Sequence, residues 1–249
     1  MDKQSLVNQF VDLIEASKNI VFFGGAGVST ESGIPDFRSA DGLYNGKYRV
    51  PPEIILSEEF FFAYPSNFYD FYRSNMIYLD AKPNITHKVL AALESMGKLN
   101  SVITQNIDGL HEAAGSKNVY NLHGSVYQNH CLECGKGYGV EAILNSSDVP
   151  RCSCGGIIKP DVVLYGEPLP KQVVDCATEQ IKHADVLVVG GTSLNVYPAA
   201  SYLRYFKGKN LVLINKGETD FDDEIKMVLH CGLGEVFSVV AERMNLRLD

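Results

Sequence analysis

The run Asn19-Ile20-Val21-Phe22-Phe23-Gly24-Gly25-Ala26-Gly27 decides the fold. A short apolar stretch ends abruptly in glycines, the pattern of a buried strand feeding a tight turn. Ahead of it, Leu6, Val7, Phe10, Val11 and Ile14 recur at helical spacing, so the chain opens with an amphipathic helix. Beyond it come Ser101-Val102-Ile103-Thr104, Asn118-Val119-Tyr120-Asn121-Leu122, Asp185-Val186-Leu187-Val188-Val189-Gly190 and Asn210-Leu211-Val212-Leu213-Ile214-Asn215. These runs are too apolar for half-exposed strands and read as parallel strands covered on both faces. Residues 170–184 suit a helix between Asp161-Val162-Val163-Leu164 and the next strand, and Pro198 through Phe206 is helix-compatible. Met227-Val228-Leu229-His230 is a weaker last strand, and residues 233–244 a closing helix.

Alternating strands and helices predict an α/β protein with a doubly wound, Rossmann-like parallel sheet. Two stretches break the alternation. Residues 38–84 are rich in aromatics and proline, and residues 125–159 hold cysteines and glycines. They are expected to build a smaller lobe, a helical insertion beside a metal module. The large lobe then takes residues 1–37, 85–124 and 160–249, with all 249 residues forming one catalytic unit.

Apolar residues make up 45% of the chain and charged ones 21%, as in ordinary globular proteins. The net charge of −8 opposes general binding to nucleic acid or anionic membranes, which needs clustered Lys and Arg. The start Met1-Asp2-Lys3-Gln4-Ser5-Leu6 lacks a charged-then-apolar leader, and no apolar run approaches the roughly 20 residues that span a bilayer. A soluble, cytoplasmic, monomeric protein is expected.

Chemistry concentrates beyond the strand ends, where ligands of open α/β sheets bind. Thr104-Gln105-Asn106-Ile107-Asp108-Gly109-Leu110-His111 and Asn121-Leu122-His123-Gly124 place amides, a carboxylate and imidazoles there. Gly24-Gly25-Ala26-Gly27-Val28-Ser29-Thr30 follows a strand and is expected to open a helix whose N–H groups favour a phosphate. It departs from the dinucleotide fingerprint because Thr30 occupies the third glycine position, and a plain turn requiring φ > 0 is its other reading. Cys131-Leu132-Glu133-Cys134 and Cys152-Ser153-Cys154 read as metal ligands rather than disulfides, since a core this large needs no staples. Cys176 reads as a core residue, and His87 and His111 as structural.

The run Gly25-Ala26-Gly27-Val28-Ser29-Thr30-Glu31-Ser32-Gly33-Ile34-Pro35-Asp36-Phe37-Arg38 resembles the first signature of the sirtuin family of NAD-dependent protein deacylases. Thr104–Asp108 resembles the second, Asn121–Gly124 the third, and Gly191-Thr192-Ser193-Leu194-Asn195-Val196-Tyr197-Pro198 the fourth. This resemblance implies a protein lysine deacetylase that moves the acetyl group to ADP-ribose and releases nicotinamide. It implies NAD phosphates at Ala26, Gly27 and Thr30, with Arg38, Thr192 and Ser193 nearby; Asn215 on the adenosine ribose; and Cys231 lining the adenine pocket. Asp108 and the Ile107 backbone would hold the carboxamide under Phe37, while Gln105 and catalytic Asn106 order the ribose and its water. His123 would be the general base on a ribose hydroxyl. Val162-Val163-Leu164-Tyr165-Gly166-Glu167 matches the strand on which substrate pairs, through Val163, Tyr165 and Gly166, although most members have Phe where Tyr165 stands. The cysteines Cys131, Cys134, Cys152 and Cys154 would hold one structural zinc, the second pair one residue shorter than the family pattern. His130, beside Cys131, is a substitute ligand or, as the preferred reading, an ordinary polar histidine.

Members that remove acidic acyl groups carry Tyr-x-x-Arg in the helical insertion. Here the matching stretch is Phe71-Tyr72-Arg73-Ser74-Asn75, so acetyl and apolar acyl groups are expected instead. A dehydrogenase, a non-catalytic reader of NAD or ADP-ribose, and a mono-ADP-ribosyltransferase are the rival functions.

Overall fold

The computed structural model describes residues 2–37, 42–46, 48–194 and 199–248. Six strands form one parallel sheet: β1 (Ile20–Gly24), β2 (Leu99–Thr104), β3 (Val119–Asn121), β7 (Val186–Gly190), β8 (Asn210–Ile214) and β9 (Met227–Leu229). The other three, β4 (Gly124–Cys131), β5 (Gly137–Tyr138) and β6 (Ile158–Val162), form a small antiparallel sheet in the order β5-β4-β6. In the large sheet the order is β3-β2-β1-β7-β8-β9, so the winding reverses between β1 and β7. Such a reversal opens a crevice at the carboxyl ends of the two strands.

Successive strand residues point to opposite faces, and both faces are sealed. Ile20 and Phe22 pack with Val186, Val188 and Val212 against the helices Lys3–Ala16, Ile85–Ser95 and Leu233–Arg243. Val21, Phe23, Leu187, Val189 and Leu213 pack on the other face against Ala177 and Ile181 of the helix Lys171–His183. That double burial is why the central strands read as unbroken apolar runs. The edge strands β3 and β9 are only partly buried.

A separate apolar cluster joins the helices Pro52–Ile55, Glu58–Ala63 and Pro65–Asn75 to the small sheet. Phe61 and Phe68 meet edge to face at 5.0 Å, and the Tyr69 hydroxyl donates to the Ile158 carbonyl at 2.6 Å.

Several expectations require correction. The glycine turn opens no α-helix but two 3₁₀ turns, Ala26–Val28 and Thr30–Ser32. The Thr30 hydroxyl bonds the Gly27 carbonyl and Asn84 Nδ2 takes the Val28 carbonyl, diverting acceptors that an α-helix would use. The run near Pro198 is likewise 3₁₀, over Ala199–Tyr205. The strand expected at Asp161–Leu164 is Ile158–Val162, and it pairs antiparallel with β4 because the chain leaves the large sheet directly after β3. Cys176 is exposed, since the buried stripe of its helix runs through Ala177 and Ile181. His87 and His111 are buried, as expected, with ring centroids 4.7 Å apart.

Candidate active site

At the switch point, the Gly25 N–H donates to the Gly190 carbonyl and the Gly27 N–H to the Gly191 carbonyl, at 3.1 and 2.8 Å. A Cβ on Gly27 would stand 2.8 Å from Gly191 Cα, so only glycine permits this approach. Ala26 and Gly27 thus reach the end of β7 and stay partly exposed there, the Gly27 N–H being spent on Gly191. Leu194 completes the opposite wall with φ of +58°, a conformation a bulky residue holds only when its surroundings enforce it. Its side chain is fully anchored in the core. The buried Thr192 accepts from the Leu194 N–H, and Ser193 between them is half-buried. Thr30 spends its hydroxyl on the turn itself.

From β2 comes the chemical cluster. Thr104 Oγ1 accepts from the Asn106 N–H at 3.0 Å, turning the chain sharply after the strand. The Gln105 N–H reaches the Gly24 carbonyl at 3.0 Å, and its side-chain amide reaches Thr192 Oγ1 at 3.5 Å. Asp108 accepts from Ser29 Oγ at 2.6 Å and from the Leu110 N–H at 2.9 Å. Burial raises its pKa, against the lowering effect of those hydrogen bonds. The Ile107 carbonyl accepts from the Val126 N–H, leaving this segment tied to β4.

His123 follows β3. Its Nδ1 lies 2.8 Å from the Gln105 carbonyl, an acceptor only, so the neutral ring carries its proton there. The unprotonated Nε2 is then the basic atom. Burial lowers the His123 pKa, and the Gln105 bond partly opposes that. The segment beyond it is joined to the peptide-matching run, because the Val163 N–H donates to the His123 carbonyl at 3.0 Å.

Ser29 and Glu167 were not singled out by the sequence reading. Ser29 is fully buried, accepts from Asn106 Nδ2 at 3.0 Å and donates to Asp108, linking the glycine turn to both polar residues. The hydroxyl of Ser29 within the glycine turn was the available signal. Glu167 Oε2 accepts from the Leu164 N–H at 2.9 Å, and its carboxylate pairs with Lys159, fixing the turn through Gly166, whose φ is +97°. Tyr165 is 43% exposed. Across the sheet, the Asn215 and Cys231 N–H groups both donate to the Leu229 carbonyl, which gathers them at the ends of β8 and β9. Phe37 packs its ring on Tyr44 at 5.4 Å. Arg38 and residues 195–198 of the fourth signature lie outside the described residues.

The four cysteines converge as well, with sulfurs all within 4.8 Å of one another. Cys131 and Cys154 are 3.4 Å apart and Cys134 and Cys152 3.6 Å, near the roughly 3.8 Å that tetrahedral zinc–thiolate geometry sets. The shortened second pair still closes a knuckle: Cys152 N–H bonds the Gly156 carbonyl, and Gly155 turns with φ of +93°. The Cys152 thiol is lowered to about 5, first by the Cys154 N–H and next by the Tyr138 hydroxyl, which favours a thiolate ligand. The residues present fit a closed structural site. His130 is not part of it, being paired with Asp161.

The Sir2 family profile matches residues 25–198. This chain belongs to the Sir2 family. An NAD-dependent protein deacetylase of Clostridium perfringens is 54% identical over 240 residues, 95% of this chain and 98% of that one. Another, from Cutibacterium acnes, is 52% identical over 234 residues, covering 93% and 96% of the two chains. Among solved structures, a Sir2 protein with deacetylated p53 peptide and 3'-O-acetyl-ADP-ribose superposes with a TM-score of 0.89 at 41% identity. That match covers 97% of this chain and 99% of the other. A Sir2 protein bound to acetylated peptide gives 0.86 at 40% identity, over 97% and 99%. The Sir2 assignment accounts for the doubly wound sheet, the small sheet and the cysteine tetrad together.

Proposed function

We propose that this Sir2-family enzyme is an NAD-dependent protein lysine deacetylase that transfers the acetyl group to ADP-ribose and releases nicotinamide. One observation carries the reading: His123, Asn106 and Asp108 converge beside the glycine turn, with His123 Nδ1 fixed on Gln105. Bound NAD supplies the leaving nicotinamide and the ribose hydroxyl that receives the acetyl group. Ala26, Gly27 and Ser193 would meet its phosphates, Thr30 and Thr192 would line the same pocket, and Asn215 and Cys231 would take its adenosine end; Arg38, assigned to the phosphates by the family resemblance, lies outside the described residues. The Asp108 carboxylate takes the carboxamide N–H, having lone pairs to spare beyond Ser29 and Leu110. With its carbonyl on Val126, Ile107 contributes its N–H. Phe37 covers this corner against water. Asn106 and Gln105 hold the ribose and its water, and His123 Nε2 takes the hydroxyl proton. Substrate pairs along the run from Val163 to Gly166 by strand addition, with Tyr165 contributing its exposed side chain because its backbone is bonded to Leu56 and Glu58.

We read residues 38–84 and 125–159 as the small lobe, which its own apolar cluster supports, and Cys131, Cys134, Cys152 and Cys154 as holding one structural zinc. The partner is an acetylated-lysine protein rather than nucleic acid or membrane, in keeping with a net charge of −8. Among the described residues no helix is long and apolar enough to cross a membrane. Six free cysteines favour a reducing cytoplasm, and we read the enzyme as a monomer.

Incubation with labelled NAD and an acetylated peptide, products separated by mass, tests the reading. Nicotinamide, deacetylated peptide and O-acetyl-ADP-ribose in equal amounts are expected. Labelled ADP-ribose on protein, or hydride transfer without nicotinamide release, would overturn it.

A further inference from the structure

We propose that Tyr44 and Tyr165 form a latch that couples the Phe37 cover of the cofactor corner to the peptide-binding segment. The inference rests on the functional reading above. It starts from the hydrogen bond between the two phenolic hydroxyls, which joins segments 121 positions apart. On one side, the Tyr44 N–H donates to the Phe37 carbonyl at 2.9 Å and the Leu43 N–H to the Asp36 carbonyl at 2.8 Å. The Tyr44 ring lies on Phe37 at 5.4 Å. Phe37 therefore cannot shift without moving Tyr44.

On the other side, Tyr165 is held by its backbone. Its N–H donates to the Leu56 carbonyl and its carbonyl accepts from the Glu58 N–H, both at 2.9 Å. Just before it, Glu167 fixes the Leu164 N–H, and the Val163 N–H is bonded to the His123 carbonyl. Any substrate strand that orders Val163 to Gly166 thus orders the Tyr165 hydroxyl, and with it Tyr44 and Phe37. A phenylalanine at position 165 would keep the ring and remove this one bond to the Tyr44 hydroxyl. Tyr44 acts here as a positioning residue. Because coupling is reciprocal, peptide tightens the cofactor site by the factor that cofactor tightens the peptide site.

The test uses ADP-ribose, which cannot react with the peptide, as the cofactor probe. Its affinity is measured by calorimetry with and without saturating acetyl-lysine peptide, for wild type, Tyr44→Phe, Tyr165→Phe and the double variant. In wild type, peptide should tighten ADP-ribose binding about three- to tenfold, the worth of one neutral hydrogen bond. Each single variant should lose that enhancement, and the double variant should lose no more than either single. Melting temperatures of the four proteins read the same bond without ligand: each single should lower the value, and the double no further. Enhancement that survives in the single variants, or losses that add in the double, would overturn the latch. If wild type binds both ligands with this pattern yet deacetylates nothing, the latch stands and the functional reading falls.

Discussion

His123 owes its chemical character to one backbone bond. Because Nδ1 is committed to Gln105, Nε2 is the basic atom, and in the proposed reaction only the neutral ring can act. Burial holds its pKa below 6.5. Activity limited by this base should therefore fall only as the pH drops through the lowered value, with the acid limb centred below 6.5. An acid limb of kcat/KM centred above 7 would exclude it as the base. His123→Ala should lose roughly 10²–10⁴-fold in kcat while calorimetric NAD binding persists. Ser29 makes a different contribution, since its hydroxyl serves Asp108 and Asn106 at once. Ser29→Ala leaves two half-buried polar groups, Asn106 and Asp108, each short of one partner. We expect kcat/KM for NAD to fall about tenfold or more with the peptide KM unchanged, and NAD kinetics matching wild type would remove Ser29 from the site.

Among elements, the two cysteine knuckles and the helix Pro65–Asn75 carry separate consequences. The knuckles bring Cys131 and Cys152 into the apolar cluster of the small sheet. Zinc binding there contributes folding free energy directly. Chelation or Cys131→Ala should lower the melting temperature and promote aggregation, and metal-free protein of unchanged stability and activity would refute the assignment. On the helix, Arg73 spends its guanidinium on the Ile143 and Asp148 carbonyls, at 3.4 and 3.0 Å. Asn75 bonds the Phe71 carbonyl and the Tyr48 hydroxyl. Neither is placed to neutralise an acyl carboxylate, whose burial without a cation is costly. Matched acetyl- and succinyl-lysine peptides should differ at least tenfold in kcat/KM, in favour of acetyl; equal turnover would defeat this.

For the molecule as a whole, the His87–His111 pair sets acid stability. Burial lowers the His87 pKa to about 4 and holds His111 well below 6.5, the neighbouring His87 adding to the latter. Both rings are neutral in the fold and protonate readily only when the chain unfolds. The unfolded state thus binds more protons below pH 6.5, and stability should decline from there toward pH 4. His87 alone accounts for a loss on the order of 3 kcal/mol over that window. Urea midpoints that stay constant between pH 7 and 4.5 would show that the pair is not buried as described.

The sequence by itself determined the parallel sheet, because strands buried on two faces must be continuously apolar, and Ile20–Phe23, Val186–Val189 and Leu211–Ile214 are. It also placed Asn106, Asp108 and His123 just beyond strand ends and marked four cysteines as metal ligands, since these are local properties of residue type and spacing. Only the tertiary structure decided the rest. Ser29 became a partner of Asp108 through a contact between positions 79 apart, which no local pattern encodes. The glycine turn became 3₁₀ because Asn84, remote in sequence, took the Val28 carbonyl. Strand β6 joined β4 rather than the large sheet, and Cys176 faced outward, because pairing and burial depend on which surfaces meet. Periodicity says that a face exists; the fold says what covers it.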